Sequence, residues 1–141
     1  MHPEPSLDAW VDAFIQIRTL PEGTDTGSDH PLWWADERTM FVLRPVDFET
    51  MWQFVTAVLA RKPPGPVLGY LAAGPLEDMI ACFGDYFIER IEDTARRDPA
   101  FRDLLHGVWK NRTPDALWER VKAARGPEPE CGDGLDVRPE P

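Results

Sequence analysis

Apolar residues recur along this chain with the 3.6-residue period of an α-helix in nearly every segment. Leu7, Trp10, Val11, Phe14 and Ile15 form the first stripe, and Ser6 is placed to cap it. Pro21 and the stretch Glu22–Asp29, with two glycines and no apolar side chain, end that element near Leu20. A shorter helix is expected over Leu32–Leu43, opening on Trp33-Trp34. Arg44-Pro45 then breaks the chain and Asp47 can cap a third helix. That helix sets Phe48, Met51, Trp52, Val55, Val58 and Leu59 on one side, and Phe54 and Ala57 widen the apolar surface. It is expected to be central.

Lys62-Pro63-Pro64-Gly65-Pro66 reads as a rigid turn between packed helices. After it, helices are expected over Val67–Ala73, Leu76–Phe83, Tyr86–Arg97, Phe101–Trp109 and Ala116–Ala124. Gly74-Pro75, Asp98-Pro99 and Thr113-Pro114 each put a capping residue before a proline at the first helical position. The stripes are regular: Leu76, Met79, Ile80 and Phe83; Phe87, Ile88, Ile91 and Ala95; Phe101, Leu104, Leu105 and Val108; Leu117, Trp118 and Val121. No segment alternates with period two between hairpin turns, so no significant sheet is expected. The fold class is all-α: a single compact array or bundle of about seven to eight short helices, compatible with stacked, solenoid-like helical hairpins. The proline-led starts are separated by 24 and then 15 residues, which is no fixed repeat.

Length and composition refine this picture. With 141 residues, one domain over residues 1–125 is the natural reading. Residues 126–141 hold four prolines, three glycines, five acids and one arginine, and are expected to form a disordered acidic tail. The chain carries 25 acids against 15 bases, a net charge of −10; without the tail, 20 acids face 14 bases. Such a balance argues against a nucleic-acid binder that neutralises phosphates and against a protein resting on an anionic membrane. The N-terminus lacks the basic and apolar pattern of a secretory signal, and apolar runs fall short of about 20 residues, so a cytoplasmic location is expected. Cys82 reads as a buried apolar residue and Cys131 as an exposed tail thiol. Neither has metal-ligand spacing, and no cofactor or metal is expected.

Two clusters carry candidate chemistry. Glu77 and Asp78, in Gly74-Pro75-Leu76-Glu77-Asp78, could be paired carboxylates for acid/base work or metal binding. They also suit a helix's first turn, where acids complement the dipole and Glu77 can reach back to a free backbone N–H. Asp36 and Glu37 stand close to Trp33, Trp34 and His30, the composition of either a ligand pocket or an ordinary helix start anchored by tryptophans. Of the six tryptophans, Trp52 and Trp118 fall on core stripes, while Trp33 or Trp34 is expected to be partly exposed. His106 lies among Arg102, Asp103 and Lys110 on what reads as a solvent face, and Glu92 is spaced to pair with Arg96. No zincin motif, nucleophile elbow or glycine-rich phosphate loop occurs.

Leu71-Ala72-Ala73-Gly74-Pro75-Leu76-Glu77-Asp78, followed by Ile88–Glu92, Asp98-Pro99-Ala100-Phe101 and Val108-Trp109, resembles an uncharacterised bacterial all-helical domain family. Its short members share an AAGPLEDLL signature, an upstream Trp-Trp region, and downstream DP-x-F and VW. The resemblance spans Leu7–Val121. Met79-Ile80 replaces the family's leucines, and the Glu22–Asp29 loop and acidic tail are additions. It implies a free-standing bacterial helical domain and assigns no activity.

The leading expectation is a non-enzymatic interaction protein, in the manner of an immunity protein or antitoxin, masking a basic, toxin-like protein partner. The alternative is a small ligand-binding protein or hydrolase-type enzyme with a site at the GPLED segment and the Trp33-Trp34 region. A homodimer is a third arrangement, marked by a broad exposed apolar patch.

Overall fold

The computed structural model describes residues 5–40 and 45–127. The expected end of the second helix at Leu43, Cys131 and the stretch from residue 128 onward lie outside the described residues. All regular structure among the described residues is helical: α1 (Leu7–Arg18), α2 (Trp33–Met40), α3 (Pro45–Ala60), α4 (Gly65–Leu71), a π turn (Ala72–Leu76), α5 (Glu77–Arg97), α6 (Pro99–Leu105) and α7 (Asp115–Arg125). The all-α expectation holds. Because α4, the π turn and α5 run on as Gly65–Arg97, there are six continuous helices among these residues rather than seven to eight.

That continuity corrects the reading of Gly74-Pro75 as a helix start. Pro75 sits inside the π turn. A proline has no N–H for the i−4 carbonyl and its ring crowds the preceding turn, and a widened turn absorbs both. Gly65–Arg97 is long enough to cross a membrane, and its most apolar 18-residue window just reaches a mean hydropathy of 1.2. Its Val67, Leu71, Leu76, Met79 and Ile80 are nevertheless buried, as in a core helix.

The chain forms two compact units, Met1–Leu76 and Glu77–Pro141. In the first, Ser6 caps α1 by accepting the Ala9 amide at 3.1 Å. Trp10, Val11 and Phe14 bury their side chains as expected, but Ile17 joins them in the core while Leu7 and Ile15 are only half-buried. Trp10 stacks on Phe54 with centroids 3.9 Å apart, Phe14 meets the same ring edge-on at 5.1 Å, and the Trp10 indole donates to the Ala35 carbonyl at 3.0 Å. One residue thus joins α1 to both α2 and α3. α3 begins at Pro45, so Asp47 lies within the helix rather than capping it. Phe48, Met51, Phe54, Val55 and Val58 are buried as expected, whereas Trp52 is only half-buried.

In the second unit, α5, α6 and α7 pack on one another. Gly84 opposes Leu117, and Glu92 takes both guanidinium N–H groups of Arg120 at 2.7 and 3.0 Å. Residue numbers rise together along the two helices, so α5 and α7 run parallel, with α6 in the connection between them. Asp98 caps α6 by accepting the Ala100 amide at 3.0 Å, with Pro99 at the first helical position, as the sequence indicates. At Thr113-Pro114 the start is displaced by one residue: Pro114 is the cap and Thr113 is buried.

Further corrections concern faces. α5 is kinked at Phe83 (φ −139°, ψ 35°), which turns Phe83 off the core stripe to a half-buried position and leaves Cys82 exposed instead of buried. His106 is buried rather than on a solvent face, its Nε2 lying 3.1 Å from the Arg125 carbonyl, because α6 has ended at Leu105 and the chain turns beneath the end of α7. Glu92 pairs with Arg120 on α7 in place of Arg96, which bonds Asp93 instead at 3.3 Å.

Candidate functional site

His30, Trp33, Trp34, Asp36 and Glu37 belong to the first unit. The His30 Nδ1 accepts the Leu32 amide at 3.0 Å, which turns the chain into α2. Trp33 and Trp34 are half-buried and Glu37 is exposed. Asp36 is only 2% exposed. Its Oδ2 accepts from the Arg18 guanidinium, and that guanidinium lies 3.8 Å from the centroid of the Tyr70 ring. Arg38 in turn stacks over Trp10 at 4.2 Å. Asp36 therefore ties α2 to α1 by a buried ion pair roofed by an aromatic ring. Only Oδ2 is engaged in this way; Oδ1 is buried without a hydrogen-bond partner.

Glu77 and Asp78 open α5 in the second unit. Glu77 does not reach back to its own helix end. Its Oε1 accepts the Trp109 amide at 3.0 Å and its Oε2 accepts the Asn111 side-chain amide at 3.1 Å. Asn111 holds a left-handed conformation (φ 50°), one that asparagine tolerates better than most residues. The α6–α7 connection is thereby pinned to the start of α5, and Trp109 stands 40% exposed at that point. Asp78 is an exposed residue whose carboxyl is partly shielded by its neighbours. Loss of water around its carboxyl pushes its pKa up, the adjacent Glu77 charge adds to this, and the Arg112 guanidinium opposes it. Arg112 also lies 3.7 Å from the Cys82 sulfur.

In each carboxylate pair one member already has nitrogen donors. Both Glu77 oxygens are occupied by N–H donors, and Asp36 is matched to an arginine. No group of three or more His, Cys, Asp or Glu among the described residues is arranged to hold a metal ion. The residue missed in the sequence is Trp109. It follows Val108 at the end of a core stripe, and only the end of α6 at Leu105 turns it outward. The signal for it was local: Trp109 is followed by Lys110-Asn111-Arg112, a polar run that suits a loop better than a helix end.

The model of a family of unknown function, DUF6869, matches residues 22–128. The chain belongs to this family. No curated protein and no solved structure matches it. For DUF6869, the matched span contains the Trp33-Trp34 region, the π turn, the Glu77 anchor and Trp109 in one continuous segment.

Proposed function

We propose that this chain is a non-enzymatic protein-interaction domain that masks a basic protein partner, with Trp109 as its anchoring side chain. The observation that carries the reading is the exposed Trp109 indole on a backbone pinned by Glu77. A large aromatic side chain presented from an ordered backbone loses little conformational freedom on binding, and tryptophan is among the residue types that dominate interface energetics. The net charge of −10 favours a basic partner by speeding encounter. An immunity-type or antitoxin-type role in a bacterial cytoplasm is the specific form of this proposal, and the bacterial setting is what the family resemblance of the AAGPLED stretch implies. A ligand-binding or hydrolytic site at GPLED and Trp33-Trp34 has less support, because Glu77 and Asp36 are already engaged.

The test is quantitative co-purification from the native host with the tagged full chain and with Trp109→Ala. One basic protein should be retained at low salt, released by high salt, and reduced about tenfold or more with Trp109→Ala. A partner set that is identical for both forms, or a partner that is acidic, would overturn the proposal.

A further inference from the structure

Aromatic rings and arginines pair repeatedly in this chain. Tyr70 and Tyr86, 55% and 54% exposed, each have an arginine over the ring: Arg18 at 3.8 Å from the Tyr70 centroid and Arg90 at 6.0 Å from that of Tyr86. Arg38 lies over Trp10 at 4.2 Å and Arg125 over Trp118 at 5.3 Å. A guanidinium is planar and weakly hydrated, so it stacks on the negative face of a ring with little loss of solvation. Trp109 departs from this pattern. It is 40% exposed, yet no cation lies over its ring among the described residues.

The cations nearest to it in sequence are directed elsewhere. Lys110 donates to the Thr113 carbonyl at 3.0 Å and meets Asp115 at 2.9 Å. Arg112 lies 3.7 Å from the Cys82 sulfur of α5 and acts on the Asp78 carboxyl. The charged groups that touch or adjoin this loop are therefore Glu77, Asp78 and Asp115 against Lys110 and Arg112. The start of α7 adds the equivalent of about half a positive charge. α5 adds none, because it continues from the π turn and has no free end there. No positive excess opposes an incoming cation, and the Glu77 bonds to Trp109 and Asn111 hold the backbone that carries the ring.

We propose that the Trp109 ring is the seat for an arginine side chain of the basic partner, whose guanidinium stacks on the indole as this chain's own arginines stack on its other rings. The inference rests on the masking role proposed above and names the contact that anchors the partner. Among aromatic side chains, tryptophan attracts a cation most strongly. Lysine is a poorer occupant, because its compact ammonium is more strongly hydrated and offers no plane to stack. An aliphatic or aromatic side chain of the partner would gain nothing from the open negative face.

The experiment follows the Trp109 indole N–H resonance in the isotope-labelled full chain, assigned by its absence from Trp109→Tyr. Hexa-arginine, hexa-lysine and uncharged hexa-citrulline are titrated in turn at about 50 mM salt, which leaves surface charges only partly screened. Hexa-arginine should shift this resonance, hexa-lysine should shift it less at the same occupancy, and hexa-citrulline should leave it in place. In calorimetry, Trp109→Leu should weaken hexa-arginine binding about threefold, and Trp109→Tyr should restore it to within about twofold. Equal responses to hexa-arginine and either other peptide, hexa-arginine binding that leaves the resonance unmoved, or a Trp109→Leu chain that binds as tightly as the unaltered one would each overturn the proposal. A basic host partner that depends on Trp109, together with a silent hexa-arginine titration, overturns this inference and leaves the masking role standing. A hexa-arginine response with no host partner does the reverse.

Discussion

Glu77 and Trp109 are joined side chain to main chain, the carboxylate accepting the tryptophan amide at 3.0 Å across 32 residues of sequence. The same carboxylate holds Asn111, so the start of α5 and the α6–α7 connection behave as one piece. Hydrogen bonds to a charged acceptor contribute more than neutral ones, roughly 1.5–3 kcal/mol net each, and less where the pair is exposed to water, as here. Their position beside Trp109 makes them the support of the most exposed tryptophan in the chain.

Glu77→Gln should therefore loosen this region without unfolding the protein. An amide can accept from one of the two donors but opposes the other with its own N–H. A loss of about 1 kcal/mol is expected in urea denaturation, together with faster hydrogen exchange at the Trp109 amide. If exchange at Trp109 is unchanged, the anchor is not what holds the connection.

Gly84 of α5 packs directly against Leu117 of α7. A Cβ at this position would lie 2.3 Å from Leu117 Cδ2 and 3.3 Å from its Cγ. Leu117 is itself buried, so its side chain has little room to retreat. Gly84→Ala should destabilise by about 1–3 kcal/mol through overpacking. Combining it with Leu117→Ala should cost less than the sum of the two single changes, a coupling readable from a double-mutant cycle.

The Arg18–Asp36 pair leads to a related asymmetry. Asp36→Ala leaves the Arg18 guanidinium without its carboxylate beneath Tyr70, and a loss of about 3 kcal/mol or more is expected. Arg18→Met together with Asp36→Ala should be milder than Asp36→Ala alone, since no charge is then stranded. Thermal denaturation of the three variants decides the point, and a double variant as unstable as Asp36→Ala would show that the pair is not governed by desolvation.

Two carboxylates give opposite pH signatures. The Arg120 hydrogen bonds hold Glu92 below the ordinary glutamate value of 4.5. Its contribution is complete above that value and is lost as pH falls through the lower folded pKa. Asp78 is raised, first by loss of solvation and then by Glu77. Its protonated form favours the folded state, so its charge subtracts stability above the folded pKa, and that loss is relieved as pH falls through it. At neutral pH, Glu92→Gln should lower the melting temperature and Asp78→Asn should raise it slightly. Melting curves from about pH 3 to 7 test both signs.

Much of this architecture was legible in residue order because it depends on near neighbours. The apolar stripes of α1, α3, α6 and α7, the Ser6 cap and the Asp98-Pro99 start involve residues within one or two turns of one another, where helical spacing dictates which side chains share a face. The all-α class follows from the same periodicity.

What escaped the sequence was set by partners distant along the chain. Glu77 has donors at Trp109 and Asn111, Glu92 is taken by Arg120 rather than Arg96, and His106 is buried against the end of α7. Period and propensity carry no information about which of several nearby charges a carboxylate will meet once helices pack. The candidate acids Asp36 and Glu77 both have partners far away in the sequence. Whether such a residue faces solvent, pairs with an arginine or pins a loop depends on helix ends, the π turn at Pro75 and the kink at Phe83, and these arise when the helices are brought together.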